Sequence, residues 1–428
     1  MRTETVTSPR MDGQYLRIEH PSGLTLMLCP MKGFSGAYAL FSARCGSIDD
    51  SFRTSPEQPF TRVPEGIAHF LEHKLFESEE GDAFEQYAKT GANANAFTSF
   101  DRTAYLFGCT DRFEESLRIL VNLVTHPYFT EQTVEKEQGI IGQEIRMYDD
   151  SPDWRVFFNL LCALYHNHPL HTDIAGTVES IRGITAELLY TCYNSFYNLN
   201  NMVLAVAGNF ETETVIRVCD ELLQEAAPVT VETRPIEEPE AVVQTYIEQK
   251  LEVAVPLFEI GFKGHPGSYR ENMLAQVVGE IVGDLLIGES TGLYRQLYDE
   301  GLINATFDSE VLAGPNYLAC LFSGESHDPK AVFARLLEGV RRLRETGIDP
   351  QDFERARRAA YGRYISLYGG IESMAGMLVL SKFADFGAYE LLDVIADLTV
   401  DDAQAFLREN FDPDRAALSV IDGGRGHD

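Results

Sequence analysis

An internal repeat constrains this 428-residue chain more than any other feature. The segment FTEQTVEKEQGIIGQEI, Phe129 to Ile145, lies without a gap on the stretch that begins IDPQDFERARRAAYGRYI at Ile348. Each follows an amphipathic helical pattern and a short turn, and each half closes on a similar strand signal, NNMVLAVAG in the first and DRAALSVIDG in the second. Repeated order of this kind means that one supersecondary unit is built twice. Between the copies, Ala226 to Glu240 carries three prolines and four glutamates with little periodicity and reads as an exposed linker. The expected division is an N-terminal domain over 12–225, a linker over 226–241 and a homologous C-terminal domain over 242–428.

Within each half, strand-like and helix-like patterns alternate irregularly. YLRIEH and LTLML flank a Pro-Ser-Gly turn as a hairpin, AYALFSARCGSI and MVLAVAG read as strands, and TYIEQKLEVAV, LFEIGFKG and AALSVIDGG repeat those signals in the second half. Helical spacing is clear in Glu114 to Val124, Thr130 to Tyr148, Glu271 to Leu286, Ala331 to Glu345 and Pro350 to Leu367. The expected fold class is α+β, two homologous domains that each pack helices on a mostly antiparallel sheet.

Composition excludes several roles. A net charge of −31 disfavours binding to a phosphate backbone, which needs Lys/Arg patches. No stretch approaches the roughly 18 apolar residues of a membrane span, so no membrane role is expected. The start, MRTETVTSPRMDGQYLRIEH, has no apolar signal region, and a cytoplasmic location is the expectation. Seven scattered cysteines form no C-x-x-C pair and read as buried small hydrophobes.

Chemistry concentrates in PEGIAHFLEHKLFE. Ile67, Phe70, Leu71 and Leu75 form an apolar stripe, while His69 and His73, four apart, share another face of the same helix. Two neutral imidazoles so placed suit one zinc ion, and Glu72 between them can reach a metal-bound water as a base without ligating. This is the H-x-x-E-H pattern of the inverzincins. A third ligand is offered by VEKEQGIIGQEIRMYDD, where Glu135, Glu137 and Glu144 lie on a helix whose Val134, Ile140, Ile141 and Ile145 face elsewhere. Glu137 and Glu144 are two turns apart and project from one face. Glutamates on a helix are more often a solvated face. His166, His168 and His171 in YHNHPLHTD surround a proline without helical spacing and read as a polar loop.

GIAHFLEHKLFE, GANANAFTSFDRTAYLF and VEKEQGIIGQEI together resemble the insulinase/pitrilysin metallopeptidases, which include the mitochondrial processing peptidases. The resemblance is nearest to the short bacterial members, in which one chain is a half-clamshell of two homologous domains. It implies His69 and His73 as zinc ligands, Glu72 as catalytic base, Glu144 as third ligand, and Glu137 as supporting acid and alternative ligand. It also implies that the strand ANANAFTSF, with Asn95, Ala96 and Phe97, pairs with an extended peptide substrate. The implied activity is that of a zinc endopeptidase; the rival is a non-catalytic or peptide-binding scaffold subunit. Active four-domain members carry an Arg and a Tyr in their second half, whereas here Tyr298 and Asn304 stand in those places, with Arg295 three positions early. Arg363 and Ala356 occupy the repeat positions of Glu144 and Glu137, so the second half is expected to bind no metal. A partner is therefore expected, either a paralogous subunit in a heterodimer or a second copy in a homodimer.

Overall fold

The computed structural model describes residues 1–79 and 81–423. The first of two compact units comprises Met1–Ile145, Asp173–Pro235 and Ser366–Tyr389. Its seven-stranded sheet runs in the order Arg2–Thr7, Gln14–Glu19, Thr25–Pro30, Met202–Gly208, Ala37–Ala43, Thr103–Cys109 and Asn93–Thr98. Only the pairing of Thr25–Pro30 with Met202–Gly208 is parallel. Every residue of Met202–Gly208 is buried, which explains its unbroken apolar sequence: a strand covered on both faces has no polar side to alternate with. Asn93–Thr98 is the opposite case. It ends the sheet, and its exposure alternates residue by residue, leaving one backbone edge unpaired by the sheet.

In the second unit, residues 146–172, 236–365 and 390–423, a five-stranded sheet runs Tyr246–Lys250, Ala416–Asp422, Leu257–Lys263, Tyr317–Glu325 and Asp308–Gly314. Its order and directions match the last five strands of the first sheet, including the single parallel pair. The fold class is thus α+β with two homologous halves, each a mostly antiparallel sheet packed with helices.

The compact units nevertheless differ from the linear halves divided at 226–241. After the related helices Glu131–Asp149 and Pro350–Tyr368, each of 19 residues, comes a helix of 13 residues, Pro152–Leu164 or Ile371–Phe383. Pro152–Leu164 packs on strands Ala416–Asp422 and Leu257–Lys263 of the second unit, and Ile371–Phe383 on Met202–Gly208 and Ala37–Ala43 of the first. Gly261 allows the former approach: a Cβ there would lie 2.8 Å from Leu164 Cδ1 and 3.0 Å from Leu160 Cδ2.

The stretch read as a linker is exposed but tied down. Its Glu232–Thr233 pairs with Ser51–Arg53 in the first unit, where Arg53 grips Glu232 at 2.8 and 2.7 Å. Glu238 accepts Lys263 Nζ at 2.6 Å and the backbone N–H of His166, Asn167 and His168 in the second. The strand expected over TYIEQKLEVAV stops at Lys250.

Candidate metal centre

The site begins at a glycine. Gly66 has φ +86°, and a Cβ there would lie 2.3 Å from Ala175 O, so only glycine fits at the entry to helix Ile67–Leu75. The stripe Ile67, Phe70, Leu71 and Leu75 is buried and holds the helix in the first unit's core. That anchoring presents His69, Glu72 and His73, at i, i+3 and i+4, on another face.

Opposite lies helix Glu131–Asp149. Val134, Ile141 and Ile145 are buried, as their spacing predicts, but Ile140 is 46% exposed and belongs to no core stripe. Its place one residue before Ile141 turns it about 100° away on a 3.6-residue helix. Glu135 is exposed, Glu137 buried and Glu144 half-buried.

Three of these side chains converge. His69 Nε2 lies 3.7 Å from Glu144 Oε1, His73 Nε2 lies 3.4 Å from Glu144 Oε2, and the imidazole centroids are 4.6 Å apart. Ligand atoms at about 2.0–2.2 Å from a tetrahedral zinc sit about 3.3–3.6 Å from one another, so two imidazoles and a carboxylate at these separations fit that ion. Among the described residues no other group of three His, Cys, Asp or Glu side chains converges in this way. His166, His168 and His171 do not; His168 is buried and caps the short turn Pro169–His171, its Nδ1 accepting from Leu170 N–H.

Glu137 touches the centre from behind. Its Oε1 lies 3.0 Å from His73 Nδ1, which leaves Nε2 facing Glu144. Burial opposes the charged form of His73, but the Glu137 hydrogen bond and the nearby Glu72 and Glu144 outweigh it and raise the ring's pKa. The buried Nδ1 of His69 has no hydrogen-bond partner among the described residues.

Glu72 is buried, which pushes its carboxyl above the ordinary range against the opposing pull of His69 and a hydrogen bond from Thr98. Thr98 Oγ1 donates to Glu72 Oε2 at 2.7 Å. Sequence reasoning stopped at Phe97 and missed this contact; the signal was the alternation of ANANAFT, which puts Thr98 on the same side as Ala94 and Ala96. Along the same edge strand Asn95 and Phe97 are exposed, and the Ala96 N–H donates to Asn95 Oδ1 at 2.9 Å, so Asn95 covers one backbone donor.

In the second unit Tyr298 is 51% exposed and stacks on Tyr294, and Asn304 donates to Glu325 Oε2 at 2.7 Å.

Known proteins resemble this chain in sequence and fold. Residues 61–178 match the model of the insulinase family, peptidase family M16, and residues 183–360 that of the peptidase M16 inactive domain. The chain is 38% identical over 406 residues to the Bacillus subtilis protein named uncharacterized zinc protease YmfH, covering 94% of each. It matches the crystal structure of an M16-like peptidase candidate from Alicyclobacillus acidocaldarius with a TM-score of 0.92 at 33% identity over 98% of each chain. It matches pitrilysin with a TM-score of 0.75 at 16% identity, over its whole length but 47% of the pitrilysin chain, a likeness of fold.

Proposed function

This chain belongs to the insulinase family, peptidase family M16, and from that premise we propose that it is a zinc-dependent endopeptidase subunit hydrolysing peptides or unfolded segments. The observation that carries this reading is the convergence of His69, His73 and Glu144 beside the buried carboxylate of Glu72.

His69 and His73 would hold the metal through Nε2 and Glu144 through its carboxylate, and Glu137 steadies the His73 ring. When bound there, zinc supplies the Lewis acidity that polarises a peptide carbonyl and makes water a stronger acid. Glu72 takes the proton from the attacking water and returns it to the leaving amine, the two proton movements that amide hydrolysis requires. The outer edge of Asn93–Thr98 takes the substrate as an added strand along Asn95, Ala96 and Phe97. An incoming peptide must displace the Asn95 side chain from the Ala96 N–H.

The second unit offers no converging ligand set among its described residues, and Tyr298 and Asn304 replace the Arg and Tyr that active four-domain members carry. We therefore assign the working enzyme a second subunit, a paralogue that supplies those groups; another copy of this chain, the alternative partner, carries the same Tyr298 and Asn304.

Metal analysis of the purified chain should find about one zinc, and Glu72→Gln should keep that zinc while peptide cleavage falls by about a thousandfold or more. Unimpaired cleavage by Glu72→Gln would overturn the assignment.

A further inference from the structure

The Glu72 carboxylate receives one hydrogen bond among the described residues, that from Thr98 Oγ1 to Oε2. Behind Thr98 lies a second hydroxyl. Thr103 is fully buried, pairs with Thr98 across the sheet and donates to Cys45 O at 2.9 Å. Its oxygen lies 3.5 Å from Thr98 Oγ1, farther than its distance to Cys45 O, so its single proton is committed to the carbonyl. The Thr98 proton faces Glu72, whose Oε2 at 2.7 Å is much nearer than the Thr103 oxygen at 3.5 Å, and this hydrogen bond fixes one of the two carboxylate oxygens.

Thr98 is also the last residue of the open edge strand, and helix Ile67–Leu75 packs against that strand. One stretch of backbone thus carries both the unpaired edge and the hydroxyl that holds the acid. We infer that Thr98 is a positioning residue: it fixes Glu72 through Oε2, leaves Oε1 for proton transfer, and registers the base to whatever peptide extends the sheet. This rests on the reading of Glu72 as general base. Thr98 acts through Glu72 and, among the described residues, makes no side-chain hydrogen bond to His69, His73 or Glu144, so its removal should affect turnover more than binding.

The test compares wild type, Thr98→Val and Thr98→Ser as zinc-loaded full chains cleaving a quenched fluorogenic peptide. Valine keeps the β-branched shape that suits a strand and removes only the hydroxyl. Thr98→Val should lower kcat by about ten- to a hundredfold, the effect of losing one hydrogen bond to a charged group, with KM within about twofold and zinc content unchanged. Thr98→Ser should restore kcat to within about threefold. Wild-type kcat in Thr98→Val, loss of its zinc, or failure of serine to restore turnover would each overturn the inference. Crystal structures of the same three proteins give an answer independent of turnover. Glu72 should hold one conformation in wild type and Thr98→Ser and leave it in Thr98→Val. An unmoved Glu72 in Thr98→Val would refute the inference, whereas absence of cleavage by the wild-type chain without its second subunit would leave the crystal structures to decide.

Discussion

Helix Ile67–Leu75 of the first unit and helix Tyr269–Ile287 of the second occupy the same place in two related sheets, each laid against its edge strand, yet their charges are reversed. The first presents His69 and His73, four apart, toward the carboxylate of Glu144. The second presents Glu280 and Asp284, also four apart, toward the helix that repeats the Glu144 helix. There Arg363, at the repeat position of Glu144, meets Asp284 at 2.8 Å, and Tyr364 donates to Glu280 at 3.2 Å. Ala356 stands where the first unit has Glu137. Two imidazoles and a carboxylate invite an added cation; two carboxylates and a guanidinium already contain one. The scaffold accepts either set, so the donor groups of the first unit reflect chemistry and not the needs of the fold.

The largest expected effect comes from removing a ligand from the first cluster while treating its counterpart in the same way. Glu144→Ala should lose zinc and with it nearly all peptide cleavage, whereas Arg363→Ala should keep zinc and cost at most about 1 kcal/mol, because its partly exposed ion pair is screened by water. Atomic absorption and thermal melting of both variants decide the matter. Equal zinc loss in the two would break the comparison.

A smaller change should follow at Glu137, which has no counterpart in the second unit. Glu137→Gln removes the charge behind His73 but keeps the shape, and should weaken zinc binding by about ten- to a hundredfold in competition with a chelator. An unchanged affinity would mean that Glu137 does not serve the His73 ring.

Much of this difference was legible along the chain. The i, i+3, i+4 spacing of His69, Glu72 and His73 places them on one face by helix geometry alone, and the ungapped repeat put Arg363 and Ala356 opposite Glu144 and Glu137. Helix Glu131–Asp149 was legible within a residue at each end because its polar and apolar faces separate. Helix Ile371–Phe383 was not, since IESMAGMLVLSKF is apolar around much of its circumference and has no stripe to detect. Its sequence reflects burial against a sheet formed by the other half, and such pairing leaves no local periodicity. The meeting of Glu144 with the imidazoles and the Thr98 contact to Glu72 likewise depend on side chains distant in sequence, so residue type could suggest them but spacing could not.

The smallest predicted effect concerns the sheets themselves. At the third position of the strand Ala37–Ala43 the first unit has fully buried Ala39; at the third position of Leu257–Lys263 the second has Glu259, 5% exposed. Burial, helped by Glu310, pushes the Glu259 carboxyl up to about 8 from an ordinary 4.5. The folded chain therefore binds a proton between those values that the unfolded chain releases, and the contribution of Glu259 to stability falls as pH rises from about 4.5 to about 8. Glu259→Gln imitates the protonated form at every pH. The drop in Tm between pH 6 and pH 8.5, on the order of a few degrees in the wild type, should shrink in this variant. If the two proteins lose the same number of degrees, Glu259 is ionised in the fold, and the second sheet tolerates a buried charge in a strand where the first has alanine.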